Sequence, residues 1–100
     1  MKNVKDVETT WESEQAKHFN AAGGYYELEM LDEAEAELNK IDTTVAGDCV
    51  PVIALKLRIA YSRREWTTMK ALARTLFLLD PSNPQWSFAD GYSTAKIDSD

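Results

Sequence analysis

The sequence is poor in residues that form covalent cross-links and metal sites. Its 100 residues include one cysteine, Cys49, so no internal disulfide and no cysteine-based zinc site can form. They also include one histidine, His18, and no cysteine or carboxylate pair is placed around it as a metal shell or a nucleophile–base pair requires. We therefore expect no metal, no cofactor and no enzymatic activity, and we expect His18 to pack in the core or at the edge of a groove.

Basic charge and long apolar runs are also scarce. Acidic residues outnumber basic ones by 17 to 11, for a formal net charge of −6, and the longest basic cluster is Arg63-Arg64 with Lys56 and Arg58 shortly before it. A nucleic-acid surface needs a more concentrated positive charge. No run approaches the roughly 18 apolar residues of a membrane span, and the polar N-terminus has no signal-peptide core. We expect a cytoplasmic protein that binds neither nucleic acid nor membranes.

The apolar residues repeat. The apolar pattern of the segment Tyr25–Asp42 recurs in the segment Tyr61–Pro81. The chain is 44% hydrophobic and has four glycines and three prolines, as in an ordered globular domain. Four apolar pairs are separated by 35 residues: Leu31 with Trp66, Ala34 with Met69, Leu38 with Ala73, and Ile41 with Leu76. Spacings of three and four within each segment are typical of one helix face. The sequence therefore predicts an all-α array of antiparallel helical hairpins.

Local signals place the helix ends. A capping box at Thr9–Glu12 predicts a first helix, and acids after Leu31 favour a second helix following a turn at Glu29-Met30. The remaining expectations are a loop over 42–49, a helix from Val50 to about Arg63 that is apolar on more than one side, a turn at Arg64-Glu65, a helix over 67–79, a stop at 80–84, and a last helix from Pro84 to about residue 94. Residues 1–8 are predicted to be a flexible arm, 9–95 a single domain and 96–100 a polar tail.

Two polar or small clusters have alternative interpretations. Gly23-Gly24 lies within the first helical pattern, where it indicates either close packing of a neighbouring helix or a helix break at residue 23. Glu33, Glu35 and Glu37 alternate along one helix, so their carboxylates spread around it. We interpret them as a solvated acidic face rather than as catalytic carboxylates.

The pattern resembles the tetratricopeptide repeat family, whose unit is two antiparallel helices in about 34 residues. Leu31-Asp32-Glu33-Ala34 is similar to the family's turn and second-helix start, and the segment from Leu79 to Pro84 is similar to its inter-repeat stop. The resemblance covers roughly residues 14–95. It implies a short right-handed α-solenoid of about two repeats plus a capping helix. The second repeat departs from the pattern by having Leu57 and Met69 where the first has Ala22 and Ala34.

The resemblance implies a concave groove lined by the first helix of each repeat. The family's groove positions fall on Phe19, Gly23, Tyr26 and Glu27 in the first repeat and on Ala54, Arg58, Tyr61 and Ser62 in the second. Of these, we predict that Phe19, Tyr26, Arg58 and Tyr61 bind a protein or peptide partner. The alternative role for these aromatics is packing between repeats. The family's clamp for C-terminal carboxylates is missing, because its positions hold Phe19, Gly23, Leu55, Pro84 and Phe88.

Self-association is the second functional hypothesis. About two and a half repeats leave little continuous core, so a second copy could supply the missing burial. Exposed Trp86, Phe88 and Tyr92 on the last helix would favour a homodimer. A polar outer face, as the ending KIDSD suggests, would favour a capped monomer.

Overall fold

The computed structural model describes residues 14–41 and 49–99, and these ranges contain five α-helices and no strand. The helices are α1 (Glu14–Glu27), α2 (Leu31–Leu38), α3 (Val50–Ser62), α4 (Trp66–Leu79) and α5 (Pro84–Ser99). The all-α prediction is therefore confirmed. The predicted arm at 1–8, the capping box at Thr9–Glu12 and the loop residues 42–48 lie outside the described residues.

The chain divides into two compact units, an N-terminal unit of Met1–Gly47 and a C-terminal unit of Asp48–Asp100. In the N-terminal unit α1 packs against α2. In the C-terminal unit α4 packs against both α3 and α5. Each unit is thus built from helices that are neighbours in sequence, which is the arrangement that short connections produce.

The turn between α1 and α2 is a Schellman motif. The N–H of Met30 donates to the carbonyl of Tyr25 at 2.9 Å, and the N–H of Glu29 donates to that of Tyr26 at 2.9 Å. Glu29 has φ of 63°, in the left-handed region that this motif requires and that glycine usually occupies. The turn predicted at Glu29-Met30 is confirmed.

The turn between α3 and α4 has the same geometry 35 residues later. The N–H of Glu65 donates to the carbonyl of Ala60 at 2.9 Å, and that of Arg64 donates to Tyr61 at 3.0 Å. Arg64 has φ of 60°. The repeat found in the apolar sequence pattern is therefore also a repeat of backbone hydrogen bonding.

The buried side chains follow the predicted 35-residue register. Of the four pairs, Ala34 and Met69, Leu38 and Ala73, and Ile41 and Leu76 are all buried, while Leu31 and Trp66 are both half-buried. In α3, six residues are buried on more than one side of the helix, as predicted: Val52, Ile53, Leu55, Leu57, Ile59 and Ala60. The core of the C-terminal unit joins three helices through Ile53, Leu57, Ala60, Met69, Ala73, Leu76, Trp86 and Ala89.

The start of α5 is fixed by local polar contacts. The side-chain oxygen of Asn83 accepts a hydrogen bond from the N–H of Gln85 at 2.9 Å, as an N-cap does, and Pro84 opens the helix as predicted. The indole N–H of Trp86 donates to Oδ2 of Asp80 at 3.2 Å. This bond ties the α4–α5 turn to the core residue beside it.

The end of α5 differs from the prediction. The sequence pattern ended this helix near residue 94, but the structure continues it to Ser99. The extension is consistent with its residues, since Ala95 is a strong helix former and Lys96 in the last turn is favourable toward the helix dipole. Residues 96–99 are exposed, so the polar character predicted for this segment is present in helical form.

The helix break predicted at residue 23 is wrong, and no described residue packs closely on Gly23 or Gly24. Helix α1 passes through these residues without a break. A Cβ atom added to either glycine would meet no neighbouring atom within 4 Å among the described residues, so close packing does not explain them either. Nothing in the described structure requires glycine at these two positions.

No described helix combines the length and the apolar character needed to cross a membrane.

Candidate partner-binding surface

Two helices of the C-terminal unit, α3 and α5, face each other across an open groove. The groove has a volume of about 430 Å³ and is lined by Ala54, Leu57 and Arg58 from α3 and by five residues of α5, including Pro84 and Phe88. Helix α4 positions both walls, because it packs against α3 on one side and α5 on the other. We name this groove, together with the aromatic and basic residues at its end, the α3–α5 surface, defined by Ala54, Arg58, Tyr61, Arg64, Trp66, Phe88, Tyr92 and Lys96.

An aromatic cluster closes one end of this surface. The ring centroid of Tyr92 lies 5.7 Å from that of Tyr61, 5.8 Å from that of Trp66 and 6.4 Å from that of Phe88. Tyr61 and Trp66 meet edge to face at 6.1 Å. These separations are those of interacting aromatic pairs, so the rings hold one another in place.

Positive charge lies beside the aromatic cluster. The ammonium of Lys96 is 5.5 Å from the ring centroid of Tyr92 and 5.8 Å from that of Trp66, within the range of cation–π attraction. Lys96 and Arg64 line a second cavity of about 220 Å³ together with Tyr61, Ser62, Trp66 and Tyr92. The cavity lining therefore combines two cations with three aromatic rings and the hydroxyl group of Ser62.

The acidic residue Asp90 of α5 is paired with α4. Asp90 is 3.0 Å from Nζ of Lys70 and 3.6 Å from Nε of Arg74. The hydrogen bond from Lys70, together with the charges of Lys70 and Arg74, lowers the pKa of Asp90 below its ordinary value. Lys70 also donates to the hydroxyl of Thr94. Asp90 is thus neutralised on the α4 side of α5, away from the groove.

The structure brings together residues that the sequence had assigned to two different functions. Arg58 and Tyr61, predicted to bind a partner, share the α3–α5 surface with Phe88 and Tyr92, predicted to mediate self-association. Phe88 is 74% exposed and Tyr61 is 48% exposed, whereas Tyr92 is half-buried.

Trp86 does not share this exposure. It is 8% exposed and belongs to the core of the C-terminal unit, because its indole packs inward and bonds to Asp80. The expectation that it forms part of an exposed aromatic face is corrected. Its role in the described structure is to anchor α5.

Phe19 and Tyr26, the other predicted partner-binding residues, are half-buried on α1 in the N-terminal unit. Their neighbours at the predicted groove positions are Gly23, which is half-buried, and Glu27, which is exposed. Their assignment to a partner-binding groove stays a prediction.

The N-terminal unit contains a polar contact between its two helices. Nδ1 of His18 on α1 lies 2.9 Å from Oε1 of Glu37 on α2, and Nζ of Lys40 lies 3.0 Å from Oε2 of the same carboxylate. The hydrogen bonds from His18 and Lys40 lower the pKa of Glu37 below its ordinary value. His18 is half-buried, as its predicted position at an edge implies. The sequence pattern predicts that Glu33, Glu35 and Glu37 form a solvated acidic face. Glu33 and Glu35 are exposed, as predicted, but Glu37 is half-buried in the contact with His18.

Sequence reasoning missed Trp66 and Lys96 as members of the surface. The repeat pattern identifies Trp66 only as the counterpart of Leu31, and the sequence pattern predicts that Lys96 belongs to a polar tail. The two are 30 residues apart and meet only because α5 continues beyond residue 94.

A second apolar region lies on the other side of α5. Phe77, Leu78 and Leu79 at the end of α4 are 44%, 80% and 39% exposed. Phe77 and Leu78 line a groove of about 410 Å³ with Trp86, Ser87 and two charged residues. The sequence pattern predicted the inward face of α4 but gave no indication of this exposed run.

Among the described residues, no group of three or more histidine, cysteine or carboxylate side chains is placed to hold a metal ion. No family model, no curated protein and no solved structure matches the chain.

Proposed function

We propose that this chain is a non-enzymatic protein-interaction module of the tetratricopeptide type, in which helical hairpins stack as a short right-handed solenoid. The proposal is supported by the two Schellman turns 35 residues apart and by the matching buried positions of the helices that follow them. The family's unit has this length and this hairpin arrangement.

The binding site in this proposal is the α3–α5 surface, which holds a peptide of a partner protein. The observation that carries it is Phe88, a large apolar side chain that is 74% exposed beside the groove and stacked on Tyr92. Tryptophan, tyrosine and arginine most often dominate binding energy at protein interfaces, and Phe88 adds a large exposed apolar area beside residues of these types. Arg58 and Tyr61 complete such a set on the facing helix.

Self-association is the second candidate. The exposed run Phe77–Leu79 supports it, because three consecutive large apolar side chains at a helix end cover a surface that a second copy could bury. Phe77 and Leu78 of this run line the groove of about 410 Å³ between α4 and α5, and the run is distinct from the α3–α5 surface. The two candidates therefore depend on different residues and can be separated by substitution.

The test uses peptides selected from a random library for binding to the purified chain. Phe88→Ser should weaken their binding by about tenfold, the effect of losing one energetically important aromatic residue. The matched control is Phe77→Ser, which removes an exposed phenylalanine from the other groove and should leave the affinity unchanged. Selected peptides that bind the Phe88→Ser variant as tightly as the parent chain would show that this surface is not the binding site.

A further inference from the structure

The two units carry very different net charges. Residues 1–47 contain eleven acidic and four basic residues, a net charge of −7, whereas residues 48–100 contain six acidic and seven basic residues, a net charge of +1. The overall charge of −6 therefore belongs to the N-terminal unit. The surface potential of the C-terminal unit has to be judged from its own residues.

The stretch from Val50 to Arg64, which forms α3 and its turn, contains four basic residues and no acidic one. Two of these basic residues, Arg58 and Arg64, are exposed and line the two cavities of the α3–α5 surface. Lys96 adds a third cation from α5. Every charged side chain that lines these two cavities is positive.

These cations are available to a ligand. In the ranges 14–41 and 49–99, no carboxylate is paired with Arg58, Arg64 or Lys96. The basic residues of α4 differ, since Lys70 and Arg74 are both engaged by Asp90. Positive charge on the α3–α5 surface is therefore uncompensated within the described structure.

The cations stand on either side of exposed aromatic groups. Arg58 and Phe88 line the larger cavity, and Lys96 lines the smaller one. Phe88 and Lys96 are eight residues apart on α5, a rise of about 12 Å. Because Arg58 lines the same cavity as Phe88, the two cations are separated along the surface by a distance of this order. An extended peptide covers about 13 Å in four residues, so carboxylates four residues apart could reach both cations while apolar side chains between them contact the rings.

We propose that the α3–α5 surface binds an internal acidic peptide segment in which carboxylates flank one or two central apolar residues. This inference rests on the proposed peptide-binding function and names the chemistry of the peptide. Charge complementarity carries it: the lining is uniformly basic at both ends and aromatic between them. A free C-terminal carboxylate is not required, because side-chain carboxylates supply both charges.

The test is an NMR titration of the isotope-labelled full chain with a synthetic peptide, Glu-Glu-Leu-Phe-Glu-Glu, acetylated and amidated so that no terminal charge remains. The comparison peptide, Gln-Gln-Leu-Phe-Gln-Gln, keeps the shape and removes the charges. We expect the acidic peptide to bind about fivefold more tightly or better, and the preference to fall as salt is added. Its chemical-shift changes should fall on α3 and α5.

Charge-removing variants locate the effect. Arg58→Gln and Lys96→Gln should each weaken binding of the acidic peptide by about two- to fivefold, in line with an exposed ion pair, and should weaken binding of the amide peptide by a smaller factor, so that the preference for the acidic peptide falls. Lys17→Gln is the matched control, since Lys17 is an exposed cation on α1. Melting curves of each variant establish that its fold is intact.

Three results would overturn the inference. Equal affinity for both peptides at the α3–α5 surface would remove the preference for acids while leaving peptide binding in place. Absence of binding by the acidic peptide would reject this ligand class, whereas the proposed function fails only if library-selected peptides ignore Phe88→Ser. A salt-sensitive dimer abolished by Arg58→Gln would show that the acidic unit of a second copy, not a foreign peptide, occupies the surface.

Discussion

Glu29 and Arg64 hold the same left-handed backbone conformation at equivalent positions of two turns, with φ of 63° and 60°. Each donates its N–H to the carbonyl three residues earlier, and the following residue closes the six-residue ring of the motif. A side chain at this position costs about 1–2 kcal/mol relative to glycine. Both hairpins thus form their turns against a local backbone penalty.

Replacing Glu29 by glycine should stabilise the chain. The gain from removing the left-handed penalty is partly offset by the greater freedom of glycine in the unfolded chain, which leaves about 0.5 kcal/mol. Urea unfolding measures the change. Glu29→Ala is the control, because alanine keeps the penalty and should give no gain; a larger gain for alanine than for glycine would contradict the explanation.

Gly24→Ala should also stabilise the folded chain, by about 0.5–1 kcal/mol, because alanine has the higher helix propensity in α1. The added Cβ atom would have no described neighbour within 4 Å. Gly91→Ala in α5 tests the same reasoning in the other unit, since a Cβ atom there also has no described neighbour within 4 Å. Thermal unfolding of both variants is the measurement. A loss of stability at Gly24 would mean that the glycine serves a contact with residues outside the described ranges.

Substitution of Trp86 should lower the stability of the fold much more than substitution of Phe88. Trp86→Phe removes the indole bond to Asp80 and leaves space in the core, so we expect a loss of about 1–2 kcal/mol. Phe88→Ser changes a side chain that is 74% exposed and should alter stability by less than about 0.5 kcal/mol. A larger loss of unfolding free energy for Phe88→Ser than for Trp86→Phe would show that α5 buries the face that carries Phe88.

Acid should weaken the contact between α4 and α5. The pKa of Asp90 is lowered in the folded chain, so its contribution is present above the ordinary carboxyl pKa and is lost as pH falls through the lower folded value. Asp90→Asn should cost about 0.5–1 kcal/mol near neutral pH, a value discounted for solvent screening, and should flatten the acid side of the stability profile. An unchanged profile would show that the ion pairs with Lys70 and Arg74 contribute nothing measurable.

The solution mass separates the proposed function from its rival. If the α3–α5 surface serves a foreign peptide, the purified chain should keep a mass near 11.3 kDa across a concentration series. Sedimentation or light scattering provides the measurement. A mass that doubles with concentration, and returns to the monomer value in Leu78→Ser, would instead assign the exposed end of α4 to self-association.

The sequence predicted those features of the fold that depend on local chemistry. Apolar spacing located Leu38 and Ala73 at the buried side of their helices, and the acids after Leu31 marked the start of α2. The proline at 84 located the start of α5. Each of these signals acts within a few residues, so a single sequence was enough to interpret it.

The features that the sequence did not predict depend on contacts across long separations. The partnership of Glu37 with His18 joins residues 19 apart, and the approach of Lys96 to Trp66 joins residues 30 apart. The sequence does not show that Glu37 or Lys96 has such a partner, because glutamate and lysine are mostly found on solvated faces. The merging of Tyr61 with Tyr92 into one surface likewise required the packing of α3 and α5 on α4 to be known.

The positions of Trp66 and Trp86 give the C-terminal unit two built-in optical reporters. Trp66 lies in the aromatic cluster at the end of the α3–α5 surface, within reach of the Lys96 ammonium, whereas Trp86 is enclosed in the core. Indole emission depends on the polarity and charge around the ring. In a Trp66→Phe variant, unfolding should still change the fluorescence of Trp86. Binding of a ligand to the α3–α5 surface should no longer produce the fluorescence change that comes from Trp66.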